Sequence, residues 1–258
     1  RDRSVSRGLG DVYKRQCCTY VDISSGSSGA TVYTEVKGAK EAMGASGAHT
    51  AAFWPKAAIG DKVYCMSAMA AALTAYNDAN NADVPYESPS NKDLRITGTV
   101  LEDGTEVLLD QQQASDVLNA NGVITAINAN GFKLWGNNTA AYPSTTDPKD
   151  RWLAVRRFFD WDGNNFILTY IQKVDKPGNK RLIQSIVDSQ NIIGNGYVAR
   201  DYCAGYRVEF RSDENPVTNL LNGHLTVHTF LAPYIPAEYI ENKREYDVGA
   251  LQAALGGN

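Results

Sequence analysis

Between Asp61 and Asn81 the apolar positions Val63, Met66, Ala70, Leu73 and Tyr76 or Asn77 recur three or four residues apart, with alanines filling the gaps. That spacing predicts a helix. Asn80, Asn81 and the turn-rich residues 85–91 stop it. Residues 95–101 and 105–109 then flank Glu102, Asp103 and Gly104, and Asp-Gly supplies the positive φ angles of a tight hairpin, so two antiparallel strands are expected. Residues 111–119 predict a short helix. Residues 123–128 and 132–135 predict strands joined through Asn130-Gly131, a second hairpin signal. Turn residues and two prolines make 137–150 a loop, held by Tyr142 and its neighbours, and 153–158 return as a strand.

Residues 165–173 and 179–193 predict two helices that cover a sheet. The second sets Leu182, Ile183, Ile186, Val187 and Ile193 against Gln184, Asp188 and Gln190. Residues 206–211, 224–231 and 239–247 predict the closing strands, and 249–255 a short helix released by Gly256-Gly257. Tyr206, Val208 and Phe210 alternate with Arg207, Glu209 and Arg211, which implies one buried and one open face. The strand 239–247 carries Glu241, Lys243, Arg244 and Glu245 among Tyr239, Ile240, Tyr246 and Asp247. Such charge suits an edge strand offered to a chosen partner, so these eight residues are the candidate subunit interface. An ordinary terminal strand in the chain's own sheet fits the same pattern. The fold class expected is α+β: a mixed or antiparallel sheet covered by helices on one face.

The string SRGLGDVYKRQ at residues 6–16 looks like translated transposon-adaptor DNA, so residues 1–16 are set aside as an artefact. The natural protein is then expected to begin upstream. Without this leader Lys+Arg falls from 25 to 20 and Asp+Glu from 29 to 27, moving the net charge from −4 to −7. An acidic chain argues against binding a phosphate backbone, which needs a clustered basic surface. It also disfavours adhesion to anionic membranes, and no apolar stretch reaches the ~18 residues of a membrane span. A hydrophobic share of 43% is enough to build a folded core.

Little of the candidate chemistry survives inspection. Cys17, Cys18, Cys65 and Cys203 form no CxxC pair and have no histidine at ligand spacing, so neither a zinc site nor a disulfide framework follows. Cys65 and Cys203 read as small buried thiols. Residues 194–199 match the GxGxxA dinucleotide pattern, but a helix enters the turn where a strand is required, so Gly194 or Gly196 reads as a helix cap. Residues 160–165, DWDGNN, resemble a calcium loop with glycine too early and Ile171 where a glutamate is needed. Asp162 or Asn164 reads better as the cap of the following helix. His224 and His228 would share a strand face without a third ligand, and no strained Gly-x-Ser-x-Gly turn marks a hydrolase. The aromatics Trp135, Tyr142, Trp152, Phe158, Phe159, Trp161 and Phe166 suit a core, an interface or a sugar-binding face.

Several blocks stand in a fixed order: GDKVY from Gly60, an alanine-rich helix, VPYESPSNK from Val84, DGTEVLLD from Asp103, WGNNT from Trp135, VRR from Val155, ENP from Glu214 and PAE from Pro236. The series, from about Phe53 to Leu255, resembles the tail sheath proteins of contractile phage tails. That resemblance implies a structural subunit without catalytic residues, metal or cofactor. Copies would form hexameric rings stacked helically around a tail tube, and the sleeve would shorten to drive the tube through a bacterial envelope. It implies as partners the chain itself, the tail tube protein, and baseplate and tail terminator proteins, with no nucleic acid and no membrane insertion. The location implied is the virion tail, assembled in the host bacterial cytoplasm. Residues 17–92 would be a helical part continuing the sheath body, and 93–258 the C-terminal core domain with its terminal strand or arm. The alternative function is a tail-associated carbohydrate-binding adhesin.

Overall fold

In the computed structural model residues 16–256 are described, so the adaptor-like leader lies outside them apart from Gln16. The first elements are β1 (Thr19–Asp22), α1 (Val36–Ala42), β2 (Thr50–Phe53), β3 (Lys56–Ile59), β4 (Lys62–Tyr64) and α2 (Met66–Asn80). They are followed by β5 (Gly98–Val100), β6 (Val123–Asn128), β7 (Phe132–Trp135), α3 (Pro148–Arg151) and α4 (Leu153–Tyr170). The last are α5 (Lys180–Ala199), β8 (Cys203–Glu209), α6 (Val217–Leu221), β9 (His228–Pro233) and α7 (Val248–Ala254).

A mixed sheet of order β1-β2-β6-β7 organises the larger part, with β1, β2 and β6 parallel and β7 antiparallel to β6. Successive side chains on a strand point to opposite faces. Ala51 and Phe53 therefore join Met66 and Ala70 of α2 and Leu153 of α4 on one face, while Ala52 and Trp54 join Val36 of α1 and Leu118 on the other. Both faces of this sheet are covered. The two-stranded β8–β9 sheet is covered on one face, where Cys203, Tyr206 and Val208 meet Val187, Tyr197 and Val198 of α5. The α+β class expected from the sequence is the class observed. The division expected near residue 92 falls inside the four-stranded sheet, since β1 and β2 precede it and β6 and β7 follow it.

The strands β6 and β7 and their Asn130-Gly131 turn form as the pattern predicts. The turn at Asp103-Gly104 forms a short hairpin, a Val100–Glu106 bridge flanked by the Leu101 amide donating to Thr105 and the Val107 amide donating to Thr99, both at 2.8 Å, while the other edge of β5 pairs with β3. Val63 is not helical. Gly60 at φ +58° turns the chain so that Val63 pairs with Ala58, and α2 starts only at Met66. A side chain from β1 secures that start: Asp22 accepts from the Ser67 amide at 3.1 Å. Cys65 sits exposed just before α2, correcting its reading as a buried thiol, whereas Cys203 is fully buried.

The strand expected at 153–158 is the first third of α4. Five consecutive buried residues, Trp152 to Arg156, suit a buried strand or a buried helix equally, and only the i,i+4 ion pair between Arg156 and Asp160 reveals the helix. Asp162 and Asn164 therefore cap nothing; they lie inside α4. Gly194 and Gly196 likewise lie inside α5, which runs on to Ala199. A Cβ on Gly194 would come 1.9 Å from Cδ1 of Tyr206, so this glycine admits β8 against the helix.

That contact carries a buried polar network. The Tyr206 hydroxyl donates to Asp162 at 3.1 Å and accepts from Gln190 at 2.5 Å. Burial pushes the Asp162 carboxyl up to about 6, outweighing the opposing hydrogen bond from Tyr206. The folded chain thus holds this proton more tightly than the unfolded chain, whose carboxyl titrates at 3.8. The resulting stabilisation is fully present below that value and is lost as pH rises towards 6. Asp162→Asn keeps an acceptor for Tyr206 and removes the buried charge. Thermal unfolding at pH 8 should show it more stable than the parent by on the order of 1–3 kcal/mol, with the advantage disappearing near pH 4. A variant less stable at pH 8 would contradict this.

Candidate functional site

Beyond β9 the chain leaves the body. Residues 234–247 form no strand and lead into α7, so the strand expected at 239–247 is an irregular exposed segment. Among the described residues neither β8 nor β9 has a second neighbour, so this segment pairs with neither open edge of its own sheet. Tyr239, Ile240 and Tyr246 are 83%, 85% and 75% exposed, and Glu241, Lys243, Arg244, Glu245 and Asp247 are exposed with them. Large side chains so placed gain nothing from burial within their own chain.

The root of this arm is fixed. Glu238 accepts from Asn137 Nδ2 at 3.2 Å and from Arg151 Nη2 at 3.3 Å. Arg151 is itself held, donating to Asn138 at 3.0 Å with its guanidinium 4.4 Å from the Tyr142 ring centre and 4.1 Å from that of Trp152. The WGNNT and PAE blocks therefore meet in space. Between the root and the body lies a cleft of about 1060 Å³ whose walls include Gln112, Asp116, Trp135, Arg151, Glu238 and Tyr239. At the far end Asp247 caps α7 by accepting from the Ala250 amide at 2.9 Å. Val248, Leu251 and Leu255 then recur along one side of that helix and all are exposed.

Other candidate residues settle into structural roles. Among the seven aromatics Trp152 and Phe158 are buried and the rest half-buried, so no exposed platform for a sugar forms from them. Phe158 and Trp161 pack with Tyr197 of α5, whose ring meets that of Tyr206. His228 lies in β9 and contacts Glu214 at 2.6 Å, but His224 precedes the strand, so the two do not share a strand face. Helical geometry throughout 194–199 excludes a phosphate-binding turn there.

Sequence reasoning missed one constellation. Cys18, His49 and Asp160 meet although 142 residues separate the first from the last and 111 the second from the last. No spacing rule reaches across such distances. Burial and the neighbouring Asp160 carboxylate push the Cys18 thiol up to about 12, so it is no thiolate nucleophile at neutral pH.

No protein-family profile matches the chain. It is 30% identical over 196 residues to the tail sheath protein of Burkholderia phage BcepMu, covering 75% of this chain and 40% of that protein. It is 29% identical over 195 residues to the tail sheath protein of Escherichia phage P2, covering 72% of this chain and 47% of the relative. The chain thus spans less than half the length of either. Its fold matches the contracted-state sheath complex of the PVC extracellular contractile injection system with a TM-score of 0.72 at 18% identity, over 90% of this chain and 64% of that one. Among the described residues no helix is long and apolar enough to cross a membrane.

Proposed function

Because this chain is a homologue of tail sheath proteins, we propose that it is part of a structural subunit of a contractile tail sheath. Copies stack as hexameric rings around a tail tube, and contraction drives the tube through a bacterial envelope. The tube protein, the baseplate and a tail terminator are the further partners of such a sleeve. It works in the virion tail and is assembled in the host bacterial cytoplasm.

The observation that carries this reading is the arm. Its root is pinned through Glu238, whereas Tyr239, Ile240 and Tyr246 and the apolar side of α7 are left to solvent. An isolated subunit gains nothing from such an arrangement. In a polymer the arm can reach a neighbour, and β8–β9 offers it open edges for strand addition. A pinned root with a free tip also lets neighbours rotate and slide while remaining linked, as a change between two packings requires. Residues 239–247 are the proposed subunit contact. Electron microscopy of the protein purified from its complete gene should show rings or tubes. A particle that stays monomeric at all concentrations would refute the proposal.

A further inference from the structure

Cys18 directly precedes β1 and His49 directly precedes β2. These strands are parallel with Thr19 opposite Thr50, so the two residues occupy equivalent positions one step before the pairing begins. The Thr19 amide donates to the His49 carbonyl at 2.7 Å, which fixes that register. Asp160 arrives from α4, and its carboxylate is oriented by Arg156, which donates to Oδ1 at 3.0 and 2.8 Å. Oδ2 is left facing the sheet end. There His49 Nδ1 lies 2.9 Å away and Cys18 Sγ 3.6 Å away, and all three donor atoms fall within 4.8 Å of one another.

We propose that Cys18, His49 and Asp160 bind one zinc ion, which clamps the ends of β1 and β2 to α4. Zinc bonds of about 2.0–2.3 Å arranged tetrahedrally put neighbouring ligand atoms about 3.3–3.7 Å apart; the Cys18–Asp160 separation of 3.6 Å falls inside that range, and the His49–Asp160 separation of 2.9 Å, a hydrogen-bond distance without the ion, must open slightly to admit it. A sulfur, nitrogen and oxygen donor set suits zinc and excludes magnesium and calcium, which take oxygen ligands. Arg156 supplies the outer hydrogen bonds that hold a metal-binding carboxylate in place.

Charge is compatible with the ion. Arg156 pairs with Asp150 as well as Asp160, and Arg157 pairs with Asp78. With Cys18 deprotonated, these two arginines and the zinc ion are balanced by the thiolate and three carboxylates. A fourth ligand has room to enter, because Cys18 and Asp160 line an open cleft of about 450 Å³, sized for water at the remaining position.

The test is titration of the metal-free, full chain with Co²⁺ and then Zn²⁺. One Co²⁺ per chain should bind, giving tetrahedral visible bands and a near-ultraviolet sulfur-to-cobalt band, all removed by Zn²⁺. Cys18→Ser should abolish the sulfur band, Cys17→Ser should retain it, and His49→Gln should weaken binding at least tenfold. Far-ultraviolet circular dichroism checks that each variant folds. X-ray absorption of the zinc-loaded parent needs no variant and should give one sulfur at about 2.3 Å with nitrogen and oxygen at about 2.0–2.2 Å. A shell without sulfur, a sulfur band that survives Cys18→Ser, or unchanged affinity in His49→Gln would each overturn the assignment.

Discussion

Trp54→Ala is expected to be among the most destabilising single changes in this chain, costing about 4–6 kcal/mol. The indole is fully buried, packed with Ile23, Val36, Leu118 and Val123 on the face of the four-stranded sheet opposite α2. Removing a buried tryptophan forfeits its transfer free energy and leaves a cavity, together about 3–5 kcal/mol. The indole Nε1 also donates to the Ala30 carbonyl at 3.0 Å. Losing that donor leaves a buried acceptor unpaired at a further cost of about 1 kcal/mol. A chain of this size loses roughly 2–4 °C of Tm per kcal/mol, so calorimetry should record a fall of about 8–24 °C. Trp54→Phe retains most of the packing and should lose clearly less. Equal losses in the two variants would mean that the missing hydrogen bond, and not the volume, sets the cost.

Gly194→Ala comes next and acts by overfilling. Alanine ordinarily strengthens a helix interior by about 1 kcal/mol over glycine, yet here the added carbon would sit 1.9 Å from one Tyr206 ring carbon and 2.3 Å from another. Neither α5 nor β8 can absorb that overlap without moving the ring and straining its bonds to Asp162 and Gln190. Overpacking of about 1–3 kcal/mol with about 1 kcal/mol for each disturbed hydrogen bond outweighs the propensity gain. The net expectation is about 3 kcal/mol, a fall of roughly 6–12 °C in Tm. Shortening the neighbour should compensate: in a Tyr206→Leu background the same alanine should cost less than 1 kcal/mol, a coupling typical of residues in contact. A gain in stability for Gly194→Ala alone would place the glycine away from β8.

What could be read from the sequence follows from where the signal is local. Asn130-Gly131 between two short apolar runs names its own hairpin, and the short run at 249–255 ended by Gly256 names α7, whose cap at Asp247 the structure adds. The stretch TAAF in β2 carries no alternation, because helices and turns cover both faces and every residue but the first is buried. The same loss of polar punctuation disguised the start of α4 as a strand. The close approach of Gly194 to Tyr206 is a tertiary fact that two glycines at a plausible cap position concealed. In the arm, the charged residues at 239–247 signalled exposure, which is observed, but the strand expected there does not form. The Cys18, His49 and Asp160 cluster left no signal in spacing, because parallel pairing of β1 with β2 and the passage of α4 create it.

The central claim is that copies of this protein join through the arm that begins after Glu238. Electron microscopy of the protein from its complete gene, side by side with a form ending at Glu238, tests it most directly. The intact protein should assemble into rings or tubes, while the shortened form should remain folded, with a circular dichroism spectrum changed only by the loss of α7, yet unassembled. Polymers of equal length and abundance from both forms would contradict the account.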